Sequence, residues 1–201
     1  MSLVDRAKNI IVSPKNEWAV IAEESPDVGS IITTYVLPLA VLSAAASFIG
    51  YAFIGVPVPF LGTIKGVSWG LYYGIQNLIM TILGVLITAF VVDLLANSFG
   101  SEKNFGRAVQ LVAYAYTPSW IGGLFSIYPP LGIIGSLFSI YGLYLLYLGL
   151  PFTMKTPKEK VIIYLIVTAI VLIVLMVVLG MILAAIMGGI LGLSLLSGFS
   201  S

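Results

Sequence analysis

Charged residues gather at 5–27, at Lys65, at 93–107 and at 155–160, and long uncharged apolar runs fill the intervals. A helix rises about 1.5 Å per residue, so a hydrocarbon core of about 30 Å takes roughly 20 apolar residues. The run 28–64 predicts a first span at about 30–54, closed by Gly55-Val56-Pro57-Val58-Pro59. The run 66–92 predicts a second at about 70–96. Residues 108–154 suffice for two spans, and Tyr128-Pro129-Pro130 divides them at about 107–126 and about 130–150. A fifth span is expected at about 161–185, the most apolar stretch of all. The Gly- and Ser-rich remainder from Gly188 is too short for a sixth full crossing. The expected fold class is all-α, a polytopic membrane bundle of about five transmembrane helices.

Residues 1–28 follow another pattern. Leu3, Val4, Ala7, Ile10 and Ile11 recur at helical spacing, with Asp5, Arg6 and Lys8 on the other side. Ser13 before Pro14 predicts a helix start, and the helix that follows carries Trp18, Ile21 and Ala22 on one face. The segment is expected to be cytosolic and amphipathic. Its helices either lie along the inner membrane surface or pack against the bundle formed by 29–201. No cleavable signal pattern precedes the first span, so insertion is expected to rely on that span itself.

Composition agrees with a lipid environment. Hydrophobic residues make up 60% of the 201 and charged residues 8%, with a mean hydropathy of +1.12. A soluble domain of this size has no core large enough to hide that much apolar surface. A net charge of +1 offers nothing for nucleic acid. Eight of the nine Lys and Arg fall in segments on one side of a five-span topology: Arg6, Lys8, Lys15, Lys103, Arg107, Lys155, Lys158 and Lys160. Lys65 alone falls on the other, which predicts a cytoplasmic N-terminus and an outer C-terminus.

The candidate chemistry is sparse. With no histidine and no cysteine, nucleophilic dyads and thiolate or imidazole metal sites cannot be assembled, and no phosphate-binding glycine loop is present. No enzyme activity, cofactor or metal is expected. Asp93 is the one acid within a predicted span. It is either an interfacial carboxylate paired with Arg107 or Lys103, or a proton or cation site at the inner mouth of the bundle. Gln110, Tyr114, Tyr116, Thr117, Pro118 and Ser119 make the third span the most polar, and Tyr141, Tyr144 and Tyr147 share a broad face of the fourth. Together they form either a polar seam between two helices or the lining of a hydrated path. Pro118 frees the carbonyl of Tyr114, for which a tyrosine hydroxyl of the neighbouring helix is the expected partner. Gly62, Gly66, Gly70 and Gly74 recur every fourth residue, and Gly188 and Gly192 repeat that spacing. Both sets are expected to be packing seams, within or between subunits. Lys65, Trp69, Tyr72 and Tyr73 are expected to anchor the outer interface.

Three blocks in order resemble a known family. "SPKNEWAVIAEE" resembles the N-terminal block of prokaryotic members of the Yip family, where a proline and a tryptophan precede the first span. "NSFGSEKNFGRAVQLVAYAYTPSWIGG" is similar to its central block, and "YGLYLLYLGLP" to its fourth-span signature. The resemblance runs from Ile11 to about Val178 and implies five spans. It further implies a role in membrane organisation, since eukaryotic members bind Rab-type GTPases and act in vesicle traffic and membrane shaping. Those members carry a long cytosolic N-terminal region, whereas about thirty residues precede the first span here. The short loops are those of a prokaryotic member, which implies an inner membrane.

Two functions follow as expectations. The first is a non-enzymatic membrane scaffold whose partners are the lipid bilayer, further copies of itself, and membrane or cytosolic proteins. The second is a small channel or permease for an ion or solute.

Overall fold

Ser2 accepts the backbone N–H of Asp5 at 3.1 Å and so caps α1, Leu3–Val12. Pro14 opens α2, Pro14–Glu23; Ser13 stands at the cap position, but its side chain makes no capping bond. Asp27 then caps α3, Val28–Ile54, by accepting the N–H of Ser30. The computed structural model describes residues 1–58, 60 and 62–198, without the surroundings of Met176 and of most residues beyond Ile186.

α3 widens to π geometry at Ile31–Val36 and at Gly50–Ile54. The first widened turn lies directly before Pro38, whose ring and missing N–H disturb a regular turn. Gly55, at φ +82°, ends the helix. A small antiparallel hairpin follows, β1 (Val56–Val58) with β2 (Gly62–Ile64), pairing Val56 with Ile64. α4, Val67–Leu95, returns along α3 and ends in a 3-10 turn over Ala96–Phe99.

The next passage is broken. Asn104 caps α5, Phe105–Ala115, and after Tyr116 the chain resumes as α6, Thr117–Gly123. α7, Gly132–Thr153, runs back, and α8, Val161–Gly198, leaves in the opposite sense. Four helical stretches are long and apolar enough to cross a bilayer: Val28–Ile54, Val67–Phe99, Pro129–Thr153 and Lys158–Ile186. The third expected span, at about 107–126, is instead this pair of short helices, neither of which spans by itself. The two still carry the chain from one end of the bundle to the other, so five passages remain. The molecule is an all-α polytopic membrane bundle.

α5 is the centre of the arrangement. Every residue from Ala108 to Ala115 is buried, between α3, α4 and α7. The helices around it show apolar side chains such as Phe90, Ile140 and Ile170 to the surroundings, as lipid requires. A central helix has no lipid-facing side, so it tolerates polar residues wherever neighbours satisfy them. Connections 100–104 and 154–160 meet at one end, through Glu102 N–H to Met154 C=O at 2.8 Å and Ser101 to Thr156 at 2.8 Å. That end also carries α1 and α2, and with them most of the basic residues.

Candidate functional site

α1 and α2 close the basic end over the first turns of α5. Ile10, Trp18 and Ile21 are fully buried, so both helices pack on the bundle; Val4, Val12 and Val20 on their outer sides stay exposed. The Trp18 ring lies on Gly149 of α7. A Cβ at Gly149 would stand 2.8 Å from Trp18 Cε2 and 2.5 Å from Leu111 Cδ1, so only glycine leaves room there. Gln110 and Arg107 hold the end of α2 from below. Arg107 donates to the carbonyls of Glu24 (2.7 Å) and Ile21 (3.3 Å), and Gln110 donates to Ile21 (3.3 Å). A cation on the last carbonyls of a helix satisfies orphan acceptors and opposes its dipole.

Arg6 lies at the heart of this cap. It donates to Glu17 at 2.6 Å, with both side chains almost wholly buried, and its other terminal nitrogen donates to the more exposed Glu24. Its guanidinium sits 5.1 Å above the Tyr114 ring. A fork that serves two carboxylates through separate nitrogens suits arginine and not lysine. Beside it lies a polar cavity of about 280 Å³, bordered by Arg6, Glu24, Ser30, Thr34, Tyr35 and Tyr114.

The break between α5 and α6 is stitched by hydroxyls. Thr117 donates to the freed Tyr114 carbonyl at 2.8 Å, so the expected tyrosine from the next helix is not its partner. Thr117 has one proton, already given to that carbonyl. The Tyr35 hydroxyl, 2.7 Å from Thr117 Oγ1, must therefore donate to it. Tyr35 also packs edge-on against Tyr114 at 4.9 Å. On another side of the break, Tyr116 bonds Thr88 of α4 at 2.8 Å. Pro118 is buried in the first turn of α6.

The sequence-predicted polar residues thus serve separate contacts and do not line one passage. Tyr114 faces Arg6, Tyr116 faces Thr88, and Gln110 holds α2. Tyr141 donates to the Ile11 carbonyl at 2.7 Å and so ties down the end of α1, while Tyr144 and Tyr147 are exposed on the outside of α7. Asp93 is buried at the end of α4 beside α8, where Tyr164 donates to the carbonyl of neighbouring Val92. Among the described residues Asp93 has no ion pair, which corrects the expected pairing with Arg107 or Lys103: Arg107 is drawn away to α2. Asp93 Oδ1 is buried without a hydrogen-bond partner.

Of the expected glycine seam, Gly70 and Gly74 do lie on α3, where a Cβ at Gly70 would meet Ala52 at 2.6 Å and one at Gly74 the Ala44 carbonyl at 3.2 Å. Gly62 and Gly66 correct the expectation. Gly62 sits in β2 at φ +79° and Gly66 caps α4 from outside, and a Cβ at either would meet nothing within 4 Å. Gly188 and Gly192 lie outside the residues whose surroundings are described. Trp69, Tyr72 and Tyr73 do form an aromatic group at the hairpin end, with Tyr73 stacked on Tyr51 at 3.7 Å. Another close backbone approach had no place in the expectation: Gly122 and Gly135 let α6 and α7 meet, a Cβ at either lying 2.5 Å from the other's carbonyl oxygen.

Sequence reasoning missed the Arg6, Glu17 and Glu24 cluster, and Tyr35 and Thr88 as partners of the helix break. The available signal was spacing: Arg6 stands four residues before Ile10, and Glu17 four before Ile21, so each shares a helix face with a buried isoleucine. Among the described residues no group of three His, Cys, Asp or Glu could hold a metal ion.

Comparison with known proteins fits this architecture. The inner membrane protein YohC of Escherichia coli K12 is 29% identical over 157 residues, 73% of this chain and 77% of that protein. Its counterpart from Escherichia coli O6:H1 matches to the same extent. No solved structure matches. A family profile described as the Yip1 domain matches residues 8–181, from the lysine in α1 into α8. That match takes in the second half of α1, all of α2, the broken central passage and the apolar passages as far as residue 181, and the chain belongs to the Yip1 domain family.

Proposed function

We propose that the protein is a non-enzymatic membrane scaffold: a rigid bundle whose capped basic end serves as the surface on which membrane or cytosolic partners assemble. The observation that carries this reading is the use made of the central helix. Gln110, Tyr114, Tyr116 and Thr117 hold α2, Arg6, α4 and the helix break, and none is left to line a common route. The positive charge at the capped end favours the cytoplasmic side, with the N-terminus inside and the C-terminus outside. An inner-membrane location is supported by the printed description of the Escherichia coli relatives. A permease reading draws on the unpartnered Asp93 Oδ1 and the broken helix.

Two measurements on one preparation separate these functions. Proteoliposomes are assayed for ion and small-solute flux, and photo-crosslinkers are placed at exposed Val4 and Val12 in intact membranes. A scaffold gives flux equal to that of empty liposomes and discrete crosslinked adducts. Flux above empty liposomes that disappears in Asp93→Asn would establish the permease instead.

A further inference from the structure

A second cavity, of about 500 Å³, opens between α2, α7 and α8 at the basic end. Its walls divide by chemistry. Leu148 and Phe152 of α7 and Val161 of α8 give an apolar surface at the ends of two membrane-crossing helices, while Lys15 and Lys158 stand at its border together with Tyr147. No carboxylate lines it. Both lysines are exposed, and neither takes part in an ion pair among the described residues; Arg6 and Lys155 of the same end are paired with acids. α8 begins in this wall, and the positive end of its dipole adds to the attraction for an anion.

We propose that this cavity binds an anionic phospholipid of the adjoining leaflet. The phosphate sits between the Lys15 and Lys158 ammonium groups, the Tyr147 hydroxyl donates to a headgroup oxygen, and the first part of an acyl chain lies along Leu148, Phe152 and Val161. A water-soluble phosphate compound uses only half of such a site, because the apolar wall would stay uncovered. The assignment is independent of the scaffold reading, since a permease could hold the same lipid.

The test uses the full chain in detergent, supplied with phosphatidylglycerol or with phosphatidylcholine of the same acyl chains. Retained lipid is counted by native mass spectrometry. A lysine at an anionic headgroup is worth roughly a fivefold preference, so the pair predicts about 25-fold in favour of phosphatidylglycerol. In the double variant Lys15→Gln/Lys158→Gln the two lipids come within about twofold of each other. The control Lys8→Gln/Lys103→Gln, which alters two exposed lysines outside the cavity, keeps the preference. Equal retention of both lipids by the wild type overturns the proposal. So does a preference that survives in the cavity variant, or one lost equally in the control. Displacement of phosphatidylglycerol by soluble glycerol phosphate would place recognition in the headgroup alone and reject the lipid.

Discussion

Arg6 and Glu17 meet at 2.6 Å, the first on α1 and the second on α2, with 6% and 5% of their side chains exposed. Taking two charges out of water is costly, and only close geometry with further donors offsets it. Removing one member leaves the other buried and unpaired. Arg6→Ala should therefore lower stability by about 3–5 kcal/mol, and Glu17→Gln by somewhat less because its amide can still accept. The double change Arg6→Met/Glu17→Leu should recover most of the loss, since Glu24 is exposed enough to be solvated. Thermal unfolding in detergent of the three variants checks the ordering.

Trp18 and Gly149 test the same cap through shape. Any side chain at Gly149 enters the space of the indole and of Leu111. Gly149→Leu should cost about 1–3 kcal/mol by overpacking and should lift α2 from α7. Trp18→Ala leaves a void and should cost about 3–5 kcal/mol. Limited proteolysis within residues 1–27 reports whether the cap has been released: both variants should be cut faster than wild type, at conditions where the spans stay intact.

At the helix break, the proton order Tyr35 to Thr117 to the Tyr114 carbonyl makes a definite prediction. Thr117→Val removes both bonds and leaves a buried hydroxyl and a buried carbonyl unserved, whereas Tyr35→Phe removes one bond. The first should cost about 2–3 kcal/mol and the second about 1 kcal/mol. The double variant should cost less than the sum, because Tyr35→Phe deletes the group that Thr117→Val strands. Equilibrium unfolding of the three variants gives the coupling directly.

Asp93 has a buried oxygen with no partner and no cation beside it among the described residues. Replacing it with asparagine keeps the shape of the side chain and forfeits no hydrogen bond or ion pair that the structure shows. Asp93→Asn should therefore stay within about 1 kcal/mol of wild type in stability, measured by thermal unfolding in detergent. A clear loss of stability would mean that an ion pair forms there after all.

The spans were legible because lipid forbids charge over about 20 residues, so 28–64, 66–92 and 161–185 announce themselves. Pro118 marked where a backbone carbonyl would be freed, but not that the passage would divide into α5 and α6 there. Where the freed carbonyl would turn was not legible either, because a threonine one position before the proline and a tyrosine over eighty residues away share the answer. The glycine run from Gly62 to Gly74 shows the limit of periodicity: spacing of four places residues on one face only if the chain is already helical, and the helix starts at Val67. Trp18 and Ile21 declared a buried face, but not which helix would cover it. The Arg6 pairing lay hidden because a charge on a short amphipathic helix ordinarily faces water, and only the folded cap brings Glu17 and Glu24 to it.

Residues 108–115 of the central helix are buried beneath the cap, and a scaffold needs no water to reach them. The chain has no cysteine, so single thiols can be introduced without background. Ala108→Cys and Ala115→Cys place a thiol on α5 at fully buried positions, and Val12→Cys places one on the exposed side of α1. Labelling by a small water-soluble thiol reagent in membrane vesicles opened to both sides should modify Val12→Cys readily and leave both α5 variants unreacted. Modification of Ala115→Cys at a rate comparable to Val12→Cys would show water reaching the centre of the bundle and would contradict the sealed arrangement.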